Sequence, residues 1–155
     1  MRPELEQVMR QVTDGQPLDL REVSRFEPAD FRIGIQWLVS QERIDLALAL
    51  ADAGLSLYPQ SEDVLSIAGL LAMMREDWPL SIELLNELCE VQQGNIQPMT
   101  YHMLARAYSC NLDLAEARQV LARGLIAWPD DATLLAEQAG MAIAEHAMPA
   151  ATLMS

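Results

Sequence analysis

The sequence predicts an all-α protein: an N-terminal helix, three tandem helix–turn–helix hairpins and a closing helix. Three observations lead there. Hydrophobic residues make up 51% of the chain but aromatic residues only 5%, a balance that suits helical packing of Leu, Ala and Met better than a sheet. Apolar residues recur three and four positions apart over most of the chain. Finally, DLALALADAGLSLYP (45–59) aligns without a gap on AEARQVLARGLIAWP (115–129), with Ala47 on Ala117, Gly54 on Gly124, Tyr58 on Trp128 and Pro59 on Pro129, an offset of 70 residues.

Residues 3–13 read as the first helix. Pro3 suits its first position, and Glu4 and Glu6 lie near the positive end of its dipole. Leu5, Val8, Met9 and Val12 make a narrow apolar stripe that has to dock, either on the hairpins or on a second copy of the chain. Asp14-Gly15 ends it, and the short segment 18–26 follows with no strong pattern, so residues 1–27 form an N-terminal helical segment of their own. The first hairpin runs over 28–61. Phe31, Ile35 and Leu38 stripe its first helix, Gln41-Glu42-Arg43 is the turn, and Ile44, Ala47, Leu48, Ala51 and Leu55 line the return. The second, 62–95, opens on Ser61 as N-cap and offers Leu65, Ala68, Gly69 and Ala72, then Trp78, Ser81, Leu85 and Leu88. The third, 98–131, carries Tyr101, Leu104, Ala105 and Tyr108 on one helix and Ala117, Leu121, Gly124 and Leu125 on the other. A last helix over 131–146 covers the end, and 149–155 reads as a flexible tail.

Tyr101-x2-Leu104-Ala105-x2-Tyr108, Ala117-x3-Leu121 and Pro129 resemble the tetratricopeptide repeat, a helical pair with a 34-residue period. The 70-residue offset is two such periods plus two residues, which the loop QQGNIQP (92–98) can hold. The first hairpin departs from the pattern: Gly34 stands where Leu is usual and Ile35 where a small residue is usual. The middle one is degenerate, with Ala72 for Tyr and Ser81 for Ala. The resemblance implies a right-handed superhelix whose first helices line a concave groove, closed by the final helix. It places Arg32, Gln36, Val39, Ser66, Leu70, Met73, Met74, Met99, His102, Arg106 and Ser109 in that groove, as a docking surface for a protein or peptide client. Met73 and Met74 are adjacent and cannot both face a core, and flexible thioethers suit irregular apolar partners.

Arg32-x3-Gln36 and His102-x3-Arg106 also resemble the ends of the frame with which some co-chaperones of this family hold a peptide carboxylate. Ile67 occupies the position where that frame has its central Asn donor. In size, acidity and layout the whole chain is similar to the type III secretion chaperones that hold translocator proteins. That implies a cytoplasmic protein holding a client segment and self-associating through its N-terminal region, here Leu5, Val8, Met9 and Val12. The alternatives are a scaffold or assembly subunit of a bacterial secretion or pilus machine and a carboxylate-clamp adaptor.

Charge and motifs narrow the classes further. Net charge is −13 with a pI near 4.3, so phosphate backbones and anionic membranes are repelled and nucleic acid is not an expected partner. No lysine occurs, which removes Schiff-base and P-loop lysine chemistry. Cys89 and Cys110 form no CxxC, and neither His102 nor His146 belongs to a zinc or nucleophile motif. The reading is therefore of no enzyme, no cofactor, no metal and no membrane insertion.

Overall fold

The computed structural model describes residues 1–147, with 144–147 described by backbone alone; the tail read as flexible, 149–155, lies outside the described residues. Among the described residues the chain is helical throughout, with no strand. It divides into two compact units, Met1–Gln93 and Gly94–Ser155.

The first unit holds α1 (Pro3–Thr13), the single turn α2 (Leu20–Val23), α3 (Pro28–Ser40), α4 (Ile44–Leu57), α5 (Glu62–Met74) and α6 (Trp78–Val91). Proline opens α1 and α3, where a missing N–H is no loss. Asp19, Ser61 and Asp77 cap α2, α5 and α6 through their side chains. Helices α3 and α4 pack as one hairpin and α5 and α6 as another, with α5 also against α3 and α4. Phe31 of α3 is fully buried at the centre, its ring edge-on to Phe26 at 5.8 Å and to Tyr58 at 5.9 Å. Gly54 of α4 lets this ring approach: a Cβ there would lie 3.0 Å from Phe31 Cδ1. The return helix buries Ala47, Leu50, Ala51 and Gly54, whereas Leu48 and Leu55, expected to line it, are only half-buried.

The N-terminal stripe docks inside this unit. Leu5 and Met9 are fully buried, Val8 and Val12 nearly so. Leu5 and Met9 pack beside Gly34, the departure in the first repeat: a Cβ at that position would crowd Leu50 Cδ2 of α4 at 3.0 Å and lie in ordinary contact with Leu5 Cδ1 and Met9 Sδ at 3.5 Å. The missing side chain makes room for Leu50 at the place where α1 and α4 both meet α3. Arg2, just before α1, pairs with the buried Asp30 carboxylate, and Asp30 also accepts from the Glu27 N–H at 2.8 Å across the first turn of α3. The hydrogen bond that Arg2 donates to Asp30, and then the charge of Asp30, raise the Arg2 pKa above its ordinary value. All four residues of the stripe expected to self-associate, Leu5, Val8, Met9 and Val12, are buried within this unit.

The second unit holds α7 (Pro98–Cys110), α8 (Leu114–Ala127) and α9 (Ala132–Ala147). Helices α7 and α8 form a third hairpin, and α9 packs on both. Gly124 repeats the role of Gly54, with Tyr101 Cβ and Leu134 Cδ1 within 3.1 Å of where its Cβ would lie. A further device recurs at the same offset. Tyr58 Oη donates to the Phe26 carbonyl at 2.7 Å, and Trp128 Nε1 donates to the Ile96 carbonyl at 2.8 Å. In each case the aromatic that ends a return helix ties down the strand of loop two residues before a helix-opening proline.

The three hairpin turns are alike. Glu42, Glu76 and Leu112 have φ of 60°, 60° and 64°, and the following N–H of Arg43, Asp77 and Asp113 reaches back to the carbonyls of Leu38, Ala72 and Tyr108 at 2.9 Å. This is the Schellman ending, whose left-handed residue is usually glycine. Here a side chain stands there each time. Leu112 is 88% exposed, so truncating it gives up little burial. Leu112→Gly is expected to raise stability by about 1 kcal/mol by relieving that strain, read as a higher urea midpoint with unchanged slope.

Candidate functional site

The sequence-named residues fall into two faces, one in each unit. In the first unit two successive chain reversals leave α3 and α5 side by side and pointing the same way. Arg32 Nε donates to Asp63 Oδ1 at 2.8 Å across the gap between them. This pair heads two helical stripes. On α3, Gln36 follows exposed and Val39 half-buried; on α5, Ser66, Leu70, Met73 and Met74 follow at three- and four-residue steps. Leu70 is 40% exposed and Met74 52%, while Met73 is half-buried. The opposite side of α5 is core: Val64, Leu65, Ala68, Leu71 and Ala72 are all buried. The exposed row is thus the one face of α5 that the fold leaves without cover.

In the second unit Met99 is 61% exposed and lines a shallow cavity of about 280 Å³ together with Gln97, Pro98, His102, Asp131 and Thr133. His102 Nε2 lies 3.5 Å from Glu137 Oε2 of α9. Arg106 is exposed further along α7 and Ser109 is half-buried. Leu135 and Ile143 of α9 are exposed, and among the described side chains of α9 Leu134 alone is buried.

The Ser66 hydroxyl donates to the Asp63 carbonyl at 3.1 Å. No group of three or more His, Cys, Asp or Glu among the described residues could hold a metal ion. Ile67, at the central position of the carboxylate-holding frame, is buried, so no donor projects there. Cys89 is half-buried and Cys110 is exposed. Sequence reasoning did not see the Arg32–Asp63 and His102–Glu137 pairings. Each joins residues on helices that are not consecutive, so no local spacing announces it. Among the described residues no helix is long and apolar enough to cross a membrane.

No protein-family model matches the chain, and no curated protein does. Among the solved structures that resemble it are two of similar title. One, "MamA RS-1 ArsTM double mutant", gives a TM-score of 0.68 over 94% of this chain and 87% of that one; the other, "MamA 41-end from Desulfovibrio magneticus RS-1", gives 0.69 over 94% and 88%. Both are 15% identical to this chain. At that identity the likeness is one of fold, and the fold is of the tetratricopeptide type: helical hairpins in tandem with a closing helix.

Proposed function

We propose that the chain is a non-enzymatic interaction module that holds a segment of a protein partner against the uncovered row of α5 and its neighbours on α3. Its most specific form is a type III secretion chaperone, which shields an apolar client segment before export. The observation that carries the reading is the exposure of Leu70 and Met74 on a helix whose other side is core, beside the half-buried Met73. Burying an apolar client segment there removes an aggregation-prone surface from water on both partners, and the chain's net charge of −13 keeps the complex soluble. Met99, His102 and Arg106 offer a second contact within their own unit.

The test is Leu70→Glu combined with Met74→Glu. Both side chains already meet solvent, so thermal unfolding is expected to move little. Binding of a client segment isolated from the host is expected to fall at least about a hundredfold, since two carboxylates would be buried against its apolar side chains. Unchanged binding rules the face out. The exposed Leu135 and Ile143 on α9 favour a second reading, a scaffold subunit held permanently in a larger assembly. Light scattering after size exclusion separates the two: the chaperone is a defined, stable species alone, and the scaffold subunit aggregates without its partner.

A further inference from the structure

Resting on that reading, we infer that the segment taken by the α3–α5 face is apolar with basic flanks, and that it is not recognised by a terminal carboxylate. Three observations meet here. First, the cation at the head of this face is already engaged: Arg32 is bound to Asp63 at 2.8 Å. A client carboxylate would have to compete with the Asp63 carboxylate for it. Second, the buried Ile67 supplies no donor beside it. Third, the other end of the face is negative. The C-termini of α3 and α5 lie there, each presenting the negative end of its dipole. The next residue but one after each helix is a glutamate, Glu42 and Glu76, held in the same left-handed conformation and exposed. Of the two arginines at that end, Arg43 is taken up by Asp45 and by the Thr13 carbonyl, which leaves Arg75.

The apolar floor of Leu70, Met73 and Met74 therefore runs from a neutralised pair toward a surface of net negative potential, on a chain with no lysine and a charge of −13. A partner whose large apolar side chain sits on the methionines, with Lys or Arg following it, meets complementary charge. An acidic flank meets repulsion.

Four synthetic 14-residue peptides test this by fluorescence anisotropy against the full chain. All share an apolar centre of Leu, Met and Ala. Two carry two Lys at each end and two carry two Glu, each made once with a free and once with an amidated C-terminus. The Lys-flanked peptides are expected to bind at least about tenfold more tightly than the Glu-flanked ones at low salt, with the gap closing in ~0.5 M NaCl. Amidation is expected to change neither affinity by more than about twofold. Glu42→Gln with Glu76→Gln should narrow the Lys preference without weakening the Glu-flanked peptides. A loss on amidation, or equal or stronger binding of the Glu-flanked pair, overturns the inference and leaves the groove reading intact. Failure of all four to bind overturns the groove reading, and the inference with it.

Discussion

Phe31→Ala is expected to destabilise the first unit by about 3–5 kcal/mol, the range for removing a buried ring from a core that cannot collapse. Phe31 is fully buried and its ring packs against Phe26 before α3, Gly54 inside α4 and Tyr58 at the end of α4. Gly54 has no side chain with which to fill the void, and the Tyr58 hydroxyl is bonded to the Phe26 carbonyl, so neither neighbour can swing in. Urea unfolding followed by circular dichroism reads the loss. A change below about 1 kcal/mol would mean that the ring is not the hub of the first hairpin.

Leu5→Ala is expected to lose about 2–5 kcal/mol, although it lies on the first helix of the chain, where terminal helices often fray. Leu5 is fully buried over Gly34, and Met9 shares that contact. Arg2→Ala removes the ion pair to Asp30 but leaves the apolar contact in place, and its guanidinium is half-exposed, so the smaller loss is expected there. Hydrogen exchange separates the two. Leu5→Ala should release protection across α1, with α3 and α4 keeping theirs. Equal exchange in the variant and the native chain would place α1 elsewhere than on α3. Should α1 come free, its apolar stripe is exposed, and self-association by that route is expected to increase in the variant, measurable by light scattering.

The alignment of 45–59 on 115–129 made the hairpins legible because the positions that match are those where helices touch: Ala47 and Ala117, Gly54 and Gly124, all buried. Pro28, Pro98 and the caps set the starts of helices in plain sequence. Gly34 was visible as an anomaly, but what packs on it was not, since Leu5, Met9 and Leu50 lie well outside any local helical spacing. The uncovered row on α5 was legible through the adjacent pair Met73 and Met74, which no single helical face can bury. What local pattern did not carry was how the face is charged. Arg32 reads alone as a cation waiting for an anion; placed beside Asp63 it is already neutralised.

Nine methionines give the chain a set of reporters for the client face. Titrate the Lys-flanked apolar peptide into protein carrying ¹³C-methyl methionine and follow the methyl resonances. Expected are saturable shifts at Met73 and Met74, assigned by Met→Leu substitution, with the fully buried Met9 unmoved. Saturable binding that leaves Met73 and Met74 in place while other methyls shift would contradict the assignment of α5 as the docking face.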